Sequence, residues 1–480
     1  MRAELQERES SCLTFTSARA FLALTLGPVL ALASSSLLRA QDPAEPASQR
    51  PSARLLSSPP GAIARRTVGD RLLVSTIEQL VSCGTRHSLS SWDNPARGIG
   101  CARDGIVKRF DEISKLSAGR LQVKVDRFEA TAPRTHSKSV HLENVMAILP
   151  GTDPRLAKTA FVVSGHYDSM PSDVMDPQSD APGADDDASG IAVSIECARL
   201  LAASGTHGPR YRATLVFAAV PGEEQGLLGG KRLLQYLNQN GFRVGGMLDN
   251  DIVGADFSSG APHRVRVFSG SGSTEDYDSP SRELARAVEE IDGRKAVRLI
   301  FRLDRLGRGG DHYPFVMAGL PAVRFTEPLE DYHHEHQTPR HENGVEYGDL
   351  IKFLNFRFIG DVVRNNAEVL RQLALAPAPP EKVALSGAVT PDAKLSWSAE
   401  DDPECAGFEI EWRETTNPRW SVYDFVRSAG QAVLRGVSTD NHFFAVRSVG
   451  KNGARSISIP AEPPQRNSSS EPGKKAGEAR

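Results

Sequence analysis

Three continuous apolar runs in the middle of the chain, at residues 160–165, 213–220 and 246–253, each close on or contain charged groups. The first belongs to FVVSGHYDS at 161–169 and stops at His166 and Asp168. The second leads into VPGEEQGLLGG at 220–230, where Glu223 and Glu224 stand side by side. The third holds Asp251 in MLDNDIVG. Further apolar runs at 263–269 and 321–326 follow, and helical patterns near 187–204, 226–240, 279–291 and 311–318 separate the runs. Strands buried on both faces and spaced by helices imply an α/β fold with a mostly parallel central sheet flanked by helices. Ligands gather at the carboxyl ends of such strands, and that is where His166, Glu223 and Glu224 fall.

Acids and an imidazole at the ends of buried strands are costly unless a cation meets them. A triple aspartate, Asp185 to Asp187, opens the helical pattern inside PGADDDASG at 182–190. His333 lies in EDYHHEHQT, beyond the apolar run at 321–326. His166, Asp186, Glu224, Asp251 and His333 together supply two histidines and three carboxylates. One carboxylate shared between two cations leaves one histidine and one further acid for each. This hard, mixed oxygen and nitrogen set favours zinc, with manganese or cobalt as alternatives. Two cations roughly 3.5–4 Å apart lower the pKa of a shared water. Glu223, beside Glu224 but outside the ligand count, is placed to act as general base. Asp168, two residues after His166, is placed to hold the other imidazole nitrogen.

Of the 480 residues, 57 are Lys or Arg and 60 are Asp or Glu, so no basic excess points to nucleic acid or to a polybasic membrane patch. Ala20 to Ala33 is an apolar run suited to a signal-peptide core and short for a membrane span. Residues 1–40 therefore read as a signal peptide, with a short anchoring hydrophobic segment as the alternative, and 41–66 as a flexible Pro/Ala/Ser-rich leader, and the chain is expected to be exported. In an oxidising compartment Cys83 and Cys101 could bridge, while Cys197 reads as a core thiol.

Helical spacing begins at Thr67 through Leu72, Leu73, Ile77 and Leu80, and a second helix runs through Val107, Phe110 and Ile113. Strand patterns follow at 121–128 and 144–149, and a long helical stretch from Gly348 to about Leu375 closes the large domain, 67–375. After a linker at 376–382 the texture changes to short alternating runs at 394–397, 408–413, 420–425 and 443–449. These imply a small all-β sandwich over 383–462, followed by a polar tail at 463–480 read as disordered. LSW, FEIEWR and FFAVRSVGKNG resemble strands of a fibronectin type III domain, with Phe444 where that family usually carries tyrosine.

HYDS at 166–169, PGADDDASG, GEEQGLLG at 222–229, the aspartate of DIVG at 251–254 and the Tyr332-His333 pair occur in one order. Together they resemble the secreted di-zinc aminopeptidases, which are related to glutamate carboxypeptidase and the glutaminyl cyclases. The resemblance implies two Zn2+ ions, with Asp186 bridging, His166 and Asp251 on one and Glu224 and His333 on the other. It further implies Glu223 as general base, a cis peptide at Asp186–Asp187, and substrates that are peptides with a free N-terminus. A carboxypeptidase or cyclase on the same scaffold, or a zinc-binding adhesion protein without catalysis, are the rival readings. Gln337 departs from the family pattern around the last histidine. His334 and His336 compete with His333 there, with His333 favoured by register and His334 next. Asp311 and His312 in GGDHYPF are expected beside the site. Oligomeric state is not addressed by any motif.

Overall fold

The computed structural model describes residues 68–463 apart from 203–209, 257–262, 273–277, 294, 388 and 429. The apolar leader run, the segment at 41–66 and the tail after residue 463 lie outside the described residues. Eight strands form the large sheet: β1 (Gln122–Ala130), β2 (Val140–Leu149), β3 (Thr159–His166), β4 (Thr214–Val220), β5 (Arg243–Asn250), β6 (Val265–Phe268), β7 (Val297–Ile300) and β8 (Ala322–Thr326). Their order is β1-β2-β4-β3-β5-β8-β6-β7. The central four, β4, β3, β5 and β8, run parallel to one another. β1 and β2 form an antiparallel pair at one edge. At the other edge β6 runs antiparallel to β8, so the apolar run at 263–269 joins the sheet reversed.

The helices are α1 (Asp70–Val81), α2 (Ile99–Leu116), α3 (Ala188–Ala202), α4 (Leu228–Gln239), α5 (Pro280–Asp292), α6 (Tyr313–Met317) and α7 (Phe356–Leu375). Successive side chains of a strand point to opposite faces. Phe161 and Val163 of β3 accordingly pack into a core shared with α1, α2, α3, α5 and α7. Ala160 and Val162 face the other way, onto Leu233 and Leu237 of α4 and Phe315 of α6. Covering the sheet on both faces explains why β3 and β4 are apolar throughout rather than alternating.

Helix α3 sits closest to the sheet, and its first turn approaches so tightly that a Cβ at Gly190 would lie 2.1 Å from the Asn250 carbonyl oxygen. Cys83 and Cys101 form a disulfide that ties the end of α1 to the first turn of α2. Helix α7 starts later than its periodicity predicts. Gly348 has φ +121°, and Asn355 caps the true start by accepting from the Arg357 and Phe358 N–H groups at 3.1 and 3.3 Å.

A two-stranded hairpin, β9 (Arg340–Glu342) and β10 (Val345–Tyr347), precedes α7, and after that helix the described residues include seven short strands. These are β11 (Glu381–Ser386), β12 (Ala393–Ser398), β13 (Cys405–Glu414), β14 (Ser421–Val426), β15 (Gln431–Leu434), β16 (His442–Gly450) and β17 (Ile459–Pro460). They make two antiparallel sheets, β11-β12-β15 and β14-β13-β16-β17, which share a core of Leu395, Trp397, Phe408, Ile410, Phe444 and Val446.

This unit is clamped to the large one by charge. Arg447 reaches Glu409 at 2.7 Å and Glu411 at 3.2 Å within the sandwich, and Glu290 of α5 at 2.5 Å. Arg419 grips Glu289 with two bonds of 2.6 and 2.7 Å, and the Trp420 indole N–H donates to Glu283 at 2.7 Å. Arg447, Glu409 and Glu411 have little solvent exposure, so removing the cation strands buried carboxylates. Arg447→Met is therefore expected to lower unfolding free energy by about 3 kcal/mol, read from urea denaturation.

Candidate functional site

The carboxyl ends of β3, β4 and β5 bring His166, Glu224 and Asp251 to one place. Asp186 enters from the loop between β3 and α3, and His336 from the loop after β8. Two triads result: His166, Asp186 and Asp251 offer ligand atoms within 4.8 Å of one another, and so do Asp186, Glu224 and His336. Asp186 belongs to both. Its Oδ1 lies 3.0 Å from His166 Nε2 and its Oδ2 lies 2.8 Å from His336 Nε2. His336 Nε2 is also 3.1 Å from Glu224 Oε1.

The three consecutive aspartates have three separate tasks. Asp187 Oδ2 accepts from the His166 N–H at 2.9 Å and its Oδ1 from Gly190 N–H at 2.8 Å, which caps α3. Asp185 Oδ1 accepts from Gly254 N–H at 2.6 Å, joining the loop to the segment after β5. Only Asp186 remains to face both histidines, and the peptide joining it to Asp187 is cis. Two buried groups that carry no motif hold this loop. Arg86 donates to the carbonyls of Tyr167 and Gly183, each at 2.8 Å, and to that of Pro182. Asp349 accepts from the Asp185 and Asp186 N–H groups at 2.7 and 2.8 Å.

Asp168 lies beside His166, its Oδ1 3.4 Å from Nδ1, while the main-chain oxygen of Asp168 is 3.2 Å from the same nitrogen. Its carboxylate accepts from the N–H groups of Glu223 and Glu224 at 3.3 and 3.2 Å, which positions the second acidic loop against the first. Arg324 of β8, fully buried, lies 2.7 Å from Asp251 Oδ1 and orients that carboxylate. Arg324, Arg86 and Asp349 are isolated in sequence and could be found only by folding the chain.

The expected His333 is not in the cluster, and neither is His334. Asp331 holds the Nδ1 atoms of His333 and His334 at 3.0 and 3.2 Å on the outer side of the loop. The His333 ring packs edge-on to Tyr347, and the His334 ring stacks on Phe353 with centroids 3.6 Å apart. Three residues beyond His333 the backbone turns left-handed at His336, φ +49°, and sends that imidazole to Asp186 and Glu224. Register pointed to His333. The acid just ahead of the histidine pair, which competes for both rings, was the one local signal against it. Asp311 and His312 also stay outside the triads: Asp311 accepts from Gly230 N–H at 3.2 Å, and His312 lies against the Leu303 carbonyl at 2.9 Å.

The electrostatics of the cluster ask for positive charge. Burial alone would lower the His336 pKa, but Glu224 and Asp186 overcome it and push it up to about 12. Burial opposes ionisation of Asp186, yet His336 and His166 hold its carboxyl well below the usual range. Burial, with Asp251, Glu224 and Asp311 nearby, pushes the Glu223 carboxyl well above the usual range. Asp186 Oδ1 and Glu224 Oε1 are buried without a donor in hydrogen-bond geometry. Carboxylate oxygens without donors, converging with two imidazole nitrogens, fit divalent cations of borderline hardness.

Residues 144–352 match the profile of peptidase family M28. A "Probable zinc metalloprotease" of Leptosphaeria maculans is 40% identical over 405 residues, covering 80% of this chain and 92% of the relative. One of the same description from Pyricularia oryzae is 39% identical, covering 79% of this chain and 80% of the relative. Among solved structures, LapB from Legionella pneumophila aligns with a TM-score of 0.49 at 19% identity, over 64% of this chain and 73% of that one. With relatives this similar along most of its length and the M28 profile spanning the strand-end cluster, the chain belongs to peptidase family M28 and is a metallopeptidase.

Proposed function

We propose that the protein is an exported aminopeptidase that works with two zinc ions and removes residues from the N-terminus of peptides. The observation that carries this reading is Asp186, whose two oxygens address two different histidine-containing triads at 3.0 and 2.8 Å. His166 and Asp251 would hold one ion, Glu224 and His336 the other, with Asp186 shared. Bound zinc supplies Lewis acidity to the scissile carbonyl and lowers the pKa of a water.

The chain's own residues do the rest. Glu223, next in the chain to Glu224 and outside both triads, accepts the proton of the attacking water. As the carbon–oxygen bond forms and the carbon–nitrogen bond breaks, the same carboxyl returns that proton to the leaving amine. Asp168 fixes the Glu223 and Glu224 main chain and stands beside His166, so it positions rather than reacts. The surplus of carboxylates around the cluster favours a substrate that brings an ammonium group. The disulfide between Cys83 and Cys101 suits an oxidising compartment, which supports export.

The sandwich supports a fibronectin type III reading through its three-strand and four-strand sheets. Its ion pairs to α5 make it a fixed part of the enzyme body rather than a module on a free tether.

Zinc-loaded protein is expected to cleave free-amine peptides and to spare their N-acetylated forms. Glu223→Gln should lower kcat by at least about 100-fold with zinc content unchanged. Cleavage from the carboxyl end, or equal cleavage of acetylated peptides, would overturn the aminopeptidase reading. A metal titration separates the histidines: His336→Ala should weaken zinc binding by at least about 100-fold, while His333→Ala stays near the parent value.

A further inference from the structure

Four consecutive polar residues, Thr85 to Ser88, are each at most 1% exposed although they lie in an irregular loop. Loops ordinarily run over the surface, because buried irregular backbone is hard to satisfy. This loop is closed at its base by the disulfide. Cys83 follows α1 by two residues, and Cys101 lies in the first turn of α2. The segment just inside the bridge is therefore pinned where it enters the large unit, and its polar groups go to the loops that bear the metal cluster.

Three such places receive them. At the end of β3, Ser169 Oγ accepts from the Arg86 N–H at 3.0 Å, and the Arg86 guanidinium takes the Tyr167 carbonyl. In the aspartate loop the same guanidinium takes the carbonyls of Pro182 and Gly183, and the Ala181 N–H donates to the Gly84 carbonyl at 2.9 Å. The approach is close: a Cβ at Gly183 would lie 2.6 Å from an Arg86 nitrogen. In the loop after β4, the Gln225 amide nitrogen lies 3.3 Å from His87 Nε2. Ser88 Oγ donates at 3.2 Å to Asp168 Oδ2, the oxygen that also accepts from the Glu224 N–H.

His166 precedes Tyr167, Asp186 lies three residues after Gly183, and Glu224 precedes Gln225. The single segment 84–88 thus holds the chain beside three of the five residues of the two triads. Buried carboxylates repel one another, so the loops that carry them spread unless their main chains are fixed. Outer partners that orient metal-binding groups typically contribute about ten- to a hundredfold to metal affinity. Arg86 and Ser88 are partners of this kind, and the bridge fixes the place from which they act.

Building on the two-zinc reading, we propose that the disulfide-closed loop is a positioning element of the metal site, and that the cluster holds its ions tightly only while Cys83 and Cys101 are bridged. The loop acts through Asp168, Gly183 and Gln225 and not on the substrate. A chain whose two cysteines are reduced holds zinc weakly, so full metal retention accompanies arrival in an oxidising compartment.

The test is a competitive zinc titration of the metal-free protein against a chromophoric chelator. Cys83→Ala combined with Cys101→Ala is expected to raise the zinc Kd at least about tenfold. Ser88→Ala, which removes one hydroxyl at Asp168, should raise it at least about threefold. Arg447→Met, which loses stability at the sandwich interface and touches none of these loops, should stay within about twofold of the wild type. A double-cysteine variant within about twofold of the wild type overturns the proposal. So does a loss in Arg447→Met as large as that of the double variant, which would mark the effect as one of general stability. Should the double variant not fold, zinc release from the wild type is followed while a phosphine reductant opens the bridge. Release ahead of the loss of helical ellipticity supports the proposal, and release together with it overturns it. The number of ions taken up by the wild type reports on the two-zinc reading separately. With one ion bound the same comparison of affinities decides, and a wild type that takes up no zinc overturns both.

Discussion

Negative charge buried at the ends of parallel strands is the constraint from which the rest of this structure follows. Asp186, Glu224 and Asp251 are each at most 4% exposed, and no hydrophobic packing offsets carboxylates in such a place. The fold answers with directed partners. Arg324 takes one side of Asp251, the histidines take both sides of Asp186, and main-chain N–H groups take Asp168, Asp185 and Asp187. What those partners leave unsatisfied is a space shaped for cations. In this sense the acids, costly to the apo fold, are retained for what they bind.

The same physics explains how the two ends of the chain cooperate. The sandwich meets the large unit through charged groups that lose much of their contact with water: Arg447 between Glu409, Glu411 and Glu290, and Arg413 at 2.5 Å from Asp278. Each pair is strong only while both partners are present, so the interface acts as a unit. Helix α5, whose other face packs Leu284, Ala285 and Val288 into the main core, carries this coupling. A domain that sequence alone presents as an appendage is held in one orientation on the enzyme.

The fold was legible wherever the signal was periodic. β3 and β4 are uninterrupted apolar runs, α1 and α4 show a single apolar stripe, and the alternating strands of the sandwich lie close to their expected spans. Periodicity says nothing about direction, so the reversed pairing of β6 with β8 and the added edge strand β7 came only from the folded chain. In the site, His166, Asp186, Glu224 and Asp251 stood out because each closes or opens a regular element whose end is dictated by local pattern. His336 did not, because it sits in an irregular loop among three histidines. There, the choice rests on one left-handed residue and on Asp331 drawing the other two rings aside.

By itself, then, the sequence determined the class of fold, the strand ends that bear the acids, and the peptidase family. These depend on spacing along the chain, which short-range sterics and burial convert directly into structure. Only the tertiary structure decided which histidine faces the shared aspartate and which arginines hold the loops. Those outcomes join residues far apart in sequence, as Arg86 joins Gly183 and Asp349 joins Asp186, and no local pattern encodes a contact of that range.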